Sequence, residues 1–156
     1  MTLSKEITKS IENSVLCWLA TVSKDNIPNV SPKEVFTDFG NEHIIIANIA
    51  SPQTVKNIGE NPNVCISFVD ILVQKGFQLK GIAEIIYSKH PNYDKYKARL
   101  TEITEGKFPF STITKIKILH SKPIIAPRYI LYPETTEEEQ IDSARKIYGL
   151  TTKSFF

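Results

Sequence analysis

The sequence contains few of the residues that mark several classes of protein. Two cysteines, Cys17 and Cys65, are too few among 156 residues for a disulfide framework. Both lie inside apolar runs, so we expect reduced thiols that pack as small core residues. Apolar runs long enough to span a bilayer or to form a signal peptide are absent. We therefore expect a cytoplasmic protein that has no membrane partner.

An excess of one charge is also lacking. The 19 Lys and Arg residues nearly balance the 17 Asp and Glu residues, and the net charge is only +2. Nucleic-acid-binding domains concentrate more positive charge, so we expect no nucleic-acid partner. The three histidines are far apart and lack metal-ligand spacing, so we expect no metal. Because no glycine-rich phosphate loop and no nucleophile elbow occur, the sequence predicts no particular catalytic residue.

The chain has the composition of an ordinary globular domain. Hydrophobic residues make up 41% of the sequence and charged residues 23%. A chain of this length buries enough surface to form a core without metal ions or disulfides. We therefore predict a single domain over residues 1–156.

The order of apolar and turn-forming segments predicts a mainly β, α+β fold. The predicted strands cover residues 15–22, 29–37, 43–49, 64–71, 77–87 and 112–119, and a further extended segment covers 124–131. The predicted helices cover residues 4–13, 51–60, 91–105 and 134–149. Turns between the first strands are too short for parallel crossovers, so we predict an antiparallel, barrel-like sheet.

The predicted C-terminal helix has its own start signal and apolar stripe. Thr136 and Glu139 have the spacing of a capping box. The residues expected to face inward are Ile141, Ala144, Ile147 and Tyr148.

One candidate binding segment lies at the start of the predicted helix 51–60. Its first turn presents unpaired N–H groups and a partial positive charge, and Ser51 and Thr54 add hydroxyl groups. Such an arrangement suits a phosphate. A Ser-Pro helix cap without any ligand explains the same residues, so the segment alone leaves both interpretations open.

A second candidate segment covers residues 28–33. Pro32 cannot donate to a central ladder, which indicates an edge strand. Ser31 and Lys33 alternate onto one face of that strand, and Lys33 is the nearest cation for an anionic ligand. A solvated lysine on an exposed edge is the other interpretation.

Together these segments resemble the FMN-binding split β-barrel family of pyridoxamine 5′-phosphate oxidase. The resemblance is carried by the order of residues 15–22, 27–33 and 47–58, and by the Asn61-Pro62-Asn63-Val64 step into the next strand. It extends over about residues 5–90 and is greatest for small stand-alone FMN-binding members.

The resemblance implies an antiparallel split β-barrel with flanking short helices, and a homodimer that holds FMN in a groove at its interface. It implies an oxidoreductase that acts on a small-molecule substrate or electron donor; a non-catalytic carrier of FMN, or of another phosphate-bearing cofactor, is the alternative. The phosphate would lie near Ser51, Gln53 and Thr54, with Asn48 shaping the pocket. The strand residues expected along the flavin are Val30, Ser31, Pro32 and Lys33.

The sequence also departs from the family's oxidase. That enzyme has an Arg at the start of the motif strand and another basic residue in the helix turn, where this chain has Ser31, Pro32 and Gln53. The oxidase's C-terminal substrate segment, which carries Trp and Arg, has no counterpart here. We therefore expect a reaction other than pyridoxamine 5′-phosphate oxidation. The fold also accommodates haem and deazaflavin, although no His or Cys is placed as a haem ligand.

Overall fold

The computed structural model describes residues 1–150, and within them seven strands form one antiparallel sheet that curls into a half-barrel. The strands are β1 (Cys17–Val22), β2 (Pro28–Lys33), β3 (Phe36–Phe39), β4 (His43–Ala47), β5 (Asn63–Asp70), β6 (Lys75–Ile86) and β7 (Ile113–Ile125). The helices of the described range are α1 (Lys5–Glu12), α2 (Pro52–Glu60), α3 (Tyr93–Thr104), α4 (Pro127–Leu131) and α5 (Glu137–Tyr148). The predicted antiparallel, barrel-like α+β fold is confirmed. The last residues of the predicted domain, 151–156, lie outside the described range.

Buried side chains form two clusters on opposite faces of the sheet. The larger cluster packs α1 and α2 against the inner face, and it includes Ile7, Cys17 and Ile58. The smaller cluster lies under α3 and includes Tyr96 and Leu100. Both cysteines are free thiols, as predicted, and Cys17 is buried in the core, whereas Cys65 is only partly buried and lies outside the two core clusters. Among residues 1–150, no helix is long and apolar enough to cross a membrane.

The sheet order is β2-β1-β5-β6-β7-β4-β3, so β2 and β3 are its two edges. The sequence predicted one strand over residues 29–37, and that prediction is wrong. The chain instead pairs with β1 as far as Lys33 and pairs with β4 from Phe36 onward. This step links the two edges of the curled sheet, and the Val35 carbonyl accepts a hydrogen bond from the Ala47 N–H (3.0 Å) across the junction. We call the step from β2 to β3, with the adjacent end of β4, the seam.

The region after residue 112 also differs from the prediction. Strand β7 pairs with β6 along its whole length, as far as Ile125. A bulge at Lys80 and Gly81 interrupts this ladder, and a Cβ on Gly81 would lie 2.3 Å from the Lys117 carbonyl oxygen. The segment predicted to be extended ends in helix α4, because Pro127 occupies its first turn, where a missing N–H group is tolerated.

Helix α5 confirms the predicted capping box between Thr136 and Glu139. Its predicted inner stripe is only partly correct. Ala144 is fully buried, whereas Ile147 and Tyr148 are 75% and 53% exposed. Their spacing is helical, but the last turn of α5 is not covered by the described part of the chain.

Candidate anion-binding site

Alternation along the edge strand β2 gives its two faces different surroundings. Ser31 and Lys33 point inward, toward the start of α2, and Lys33 is only 5% exposed. Val30 and Pro32 point outward, and Val30 is 58% exposed. The edge position predicted from Pro32 is confirmed, because β2 pairs only with β1 within the described sheet. Strand β2 therefore turns a polar pair toward α2 and an apolar pair toward solvent.

The inward side chains meet α2 in a cluster that contains one ammonium and three hydroxyl groups. Lys33 Nζ donates to Ser51 Oγ (2.5 Å) and to Thr54 Oγ1 (3.3 Å). Ser31 Oγ lies 3.2 Å from Thr54 Oγ1. We call these four residues, Ser31, Lys33, Ser51 and Thr54, the hydroxyl–lysine cluster. The sequence-based prediction included all four.

Ser51 contributes to this cluster instead of capping the helix. Its Oγ donates to the Ile49 carbonyl (2.9 Å) and makes no capping bond to the first turn of α2. The turn before it is tight, because Ala50 has a left-handed φ of 48°. Ser51 thus occupies the position before the first turn of α2 that the Ser-Pro pattern indicated, while its hydroxyl is used in the cluster. The hydroxyl faces the ammonium of Lys33 at the end of the helix that carries partial positive charge.

Lys33 is buried without a negative partner. Among residues 1–150, every ion pair involves other side chains, and none reaches Lys33. Burial lowers the pKa of Lys33, because desolvation disfavours the ammonium form. Burial also raises the pKa of the Cys17 thiol to about 12, so Cys17 is neutral and supplies no counter-charge. A buried ammonium without a carboxylate is costly, and an anionic ligand would compensate it.

Gln53 lies outside the hydroxyl–lysine cluster. Its Nε2 donates to Asn57 Oδ1 one turn along α2 (2.7 Å). Asn57 Nδ2 in turn donates to Thr21 Oγ1 on β1 (3.0 Å), and Asn57 is 1% exposed. This chain of bonds fixes α2 against β1. Sequence reasoning missed Asn57, although a polar residue on the buried face of a short helix was an available signal.

Asn48 also lies outside the cluster and binds β7. Its Nδ2 donates to Thr112 Oγ1 (3.2 Å), and its Oδ1 accepts from Thr114 Oγ1 (2.8 Å). The Asn48 N–H also donates to the Thr112 carbonyl (3.1 Å). Asn48 therefore holds the chain just before β7 against the end of β4.

A cavity of about 220 Å³ adjoins the cluster, and Lys33 forms part of its wall. Its lining residues are Pro32, Lys33, Glu34, Val35, Ala47, Ile49 and Phe108. Most of this wall is apolar and comes from the seam. Phe108 comes from the loop between α3 and β7, and sequence reasoning missed it because that loop carries no recognisable motif.

A protein-family model and a curated relative match this chain. The family model described as pyridoxamine 5′-phosphate oxidase matches residues 3–142. An uncharacterized protein from Methanocaldococcus jannaschii is 36% identical over 95 residues, which cover 60% of this chain and 61% of that relative. The chain thus spans about three fifths of the length of this curated relative.

Solved structures share the fold. HupZ from Group A Streptococcus is 25% identical, with 76% of this chain and 91% of that chain covered and a TM-score of 0.66. An FMN-binding protein from Syntrophomonas wolfei is 21% identical, with 78% and 86% covered and a TM-score of 0.64. HutZ, a heme storage protein from Vibrio cholerae, is 18% identical, with 80% and 95% covered and a TM-score of 0.63. These similarities support the split-barrel fold that the sequence predicted.

Proposed function

The chain belongs to the pyridoxamine 5′-phosphate oxidase family, and we propose that it is an FMN-binding flavoprotein that acts as an oxidoreductase. The substrate or electron donor would be a small molecule. The observation that carries this proposal is the buried, uncompensated ammonium of Lys33 among three hydroxyl groups. This donor set fits the phosphate of FMN.

Each residue of the hydroxyl–lysine cluster has a physical role toward a phosphate. Lys33 would neutralise charge, and Ser31, Ser51 and Thr54 can rotate their hydroxyl hydrogens toward phosphate oxygens. Ser51 and Thr54 also lie at the start of α2, where backbone N–H groups attract anions. A phosphate would thus replace the missing counter-charge of Lys33.

Bound FMN would supply hydride or electron transfer, which no side chain in this site performs by itself. The chain's own residues would bind and orient the cofactor. Lys33 and the hydroxyl groups would hold the phosphate end, and the tie from Gln53 through Asn57 to β1 would keep α2 in place. The rigid sheet edge and the fixed helix together would set where the rest of the cofactor lies.

We propose a substrate other than pyridoxamine 5′-phosphate. At the positions where the family's oxidase has basic residues, this chain has uncharged side chains, and Gln53 is bonded along its own helix. The C-terminal substrate segment of the oxidase, which carries Trp and Arg, also has no counterpart in this sequence. The reaction would therefore use a different substrate.

The proposed homodimer would use the outer face of β2 and its neighbours. The face comprises Trp18, Ala20, Val30, Pro32, Cys65 and Ser67, which the strand register aligns side by side. It is largely apolar, and Trp18 and Val30 are 47% and 58% exposed. Pro32 lies both on this face and on the cavity wall. A second copy on the outer face would therefore lie next to the cofactor.

A non-catalytic FMN carrier is the alternative, and the similarity in fold to a heme storage protein makes haem the competing cofactor. FMN is favoured because the cluster presents hydroxyl and ammonium donors at a helix start, a combination that suits phosphate. These donors are not axial ligands for a haem iron, which takes His, Cys, Met or Tyr.

The test is the visible absorption of the purified protein after incubation with FMN and gel filtration. Flavin bands that co-elute with the protein are expected. Their absence from a folded protein, or a Soret band after the same treatment with haem, would contradict FMN as the cofactor. Reduction of the bound flavin by NADH or NADPH far below about 1 s⁻¹ would favour the carrier.

A further inference from the structure

We propose that the cavity beside Lys33 binds the planar aromatic ring system of the cofactor and that Phe108 forms the wall against which this ring stacks. The inference rests on the proposed function and extends it to a residue outside the predicted site. It rests on the volume and lining of the cavity and on the contacts that hold the loop that carries Phe108.

The cavity borders the hydroxyl–lysine cluster at Lys33, which lines the cavity and also belongs to the cluster. A ligand with its anionic group on the cluster can therefore extend into the cavity. Apart from Lys33 and Glu34, the lining is apolar and includes Val35, Ala47 and Ile49. Apolar walls next to a few fixed polar groups are the usual surroundings of an aromatic ligand.

The cavity is too small for a whole cofactor. Its volume of about 220 Å³ lies below the roughly 300–1,000 Å³ of sites that enclose a complete ligand of drug size. It therefore suits one part of a ligand, with the remainder outside. A ligand with a flat ring in the cavity and a phosphate on the cluster would account for both the small cavity and the donors beside it.

The loop between α3 and β7 is fixed on both sides of Phe108. Before Phe108, Glu105 and Gly106 adopt left-handed φ angles of 50° and 71°, which turn the chain sharply at the end of α3. After Phe108, Phe110 packs against the smaller core cluster, and Asn48 holds Thr112 by side-chain and backbone hydrogen bonds. Phe108 is thereby kept at the cavity.

Phe108 is exposed in a way that favours contact with a ligand. It is 54% exposed although it lines the cavity and belongs to an anchored loop. Aromatic rings attract one another in offset or edge-on arrangements, beyond the effect of burial. A bound ring would cover the exposed face of Phe108. In this arrangement Asn48 would position the loop that carries Phe108 and would not contact the phosphate.

The experiment compares three ligands with Phe108→Ala: FMN, riboflavin, which has the ring but no phosphate, and ribose 5-phosphate, which has the phosphate but no ring. Affinities for FMN and riboflavin should fall by a similar factor, about 2- to 13-fold. Affinity for ribose 5-phosphate should stay unchanged. Phe108→Trp should restore ring binding and quench flavin fluorescence. The matched control is Tyr87→Ala, which removes an aromatic that is 57% exposed and outside the cavity lining.

The results separate this inference from the function on which it rests. If wild type binds none of the three ligands, the proposed function fails, and the stacking role fails with it. If wild type binds FMN but Phe108→Ala leaves FMN and riboflavin affinities unchanged, only the role of Phe108 is overturned. An equal loss of ribose 5-phosphate binding would also overturn it, because the substitution would then act on the phosphate site.

Discussion

The two faces of strand β2 reverse the usual distribution of residues. On an ordinary edge strand the lysine is solvated and the valine is buried. Here Lys33 is 5% exposed, whereas Val30 on the opposite face is 58% exposed. Burying a charge and exposing an apolar surface both reduce the stability of an isolated chain. Departures from local rules of this kind are expected at functional sites, where a ligand or partner compensates them.

The inner and outer faces differ in what would compensate them. The inner face lacks a negative charge, and a phosphate on the hydroxyl–lysine cluster would supply it. The outer face lacks an apolar cover, and a second copy of the chain would supply that. Substitutions that alter one face at a time allow the two explanations to fail separately.

The largest effect is expected on the outer face. Val30→Asp would bury an unpaired carboxylate in the proposed dimer and raise its dissociation constant by at least about 100-fold. Light scattering should then show a monomer. Emission from Trp18, the single tryptophan, should move to longer wavelength as the residue becomes exposed. Ile103→Asp on α3, where the native side chain is 43% exposed, is the matched control and should stay dimeric. A monomeric wild type would refute the dimer.

The next effect is expected on the inner face. Ser51→Ala and Thr54→Ala should each weaken FMN binding by about 1–3 kcal/mol, because each removes a donor to a charged group. Calorimetric titration measures the change. Gln53→Ala should have a smaller effect, since Gln53 bonds to Asn57 and lies outside the cluster. If all three variants bind FMN as wild type does, the phosphate lies elsewhere.

A pH dependence follows from the buried ammonium. Burial lowers the pKa of Lys33, so the ligand-free site begins to lose its proton at a pH below the usual value of about 10.4. If FMN binds the ammonium form, as proposed, its affinity should fall by up to about tenfold per pH unit above the lowered pKa. Riboflavin affinity should stay flat over the same range. A flat FMN profile would mean that Lys33 does not contact the phosphate.

The smallest effect concerns the stability of the ligand-free protein. Because folding lowers the pKa of Lys33, the unfolded chain holds this proton more tightly. The cost of burying the Lys33 ammonium is therefore fully present at neutral pH. It disappears only as the pH rises past the pKa of Lys33 in the unfolded chain. Lys33→Met removes this penalty, and Tm should rise by about 2–4 °C for each kcal/mol regained. Lys80→Met, at an exposed lysine, should leave Tm unchanged. A clear fall in Tm for Lys33→Met would show that the ammonium stabilises the free protein.

Local signals in the sequence were sufficient for most of the fold. Turn residues and alternation located the strands, and Ser51-Pro52 located the start of α2. The break after Lys33 could not be predicted locally, because it depends on β2 and β3 pairing with different strands at opposite sheet edges. Helix α4 was missed because residues 124–131 were predicted to form one extended segment, whereas Pro127 begins a helix.

The candidate site was predictable in part. The resemblance named the members of the hydroxyl–lysine cluster, and alternation indicated that Ser31 and Lys33 share a face. The burial of Lys33 could not be predicted, because it depends on α2 folding over the edge strand. Phe108 lies 75 residues from Lys33 in the chain, and only the fold brings the two to one cavity.

The most direct test of the central claim compares FMN and riboflavin affinities in wild type and in Lys33→Met. The two ligands share the ring and the ribityl chain, so their difference isolates the phosphate. The account predicts that wild type binds FMN at least about tenfold more tightly than riboflavin and that Lys33→Met loses most of this preference, with only the hydroxyl and N–H donors left for the phosphate. If Lys33→Met keeps the full wild-type preference for FMN, Lys33 does not contact the phosphate and the hydroxyl–lysine cluster is not the phosphate site.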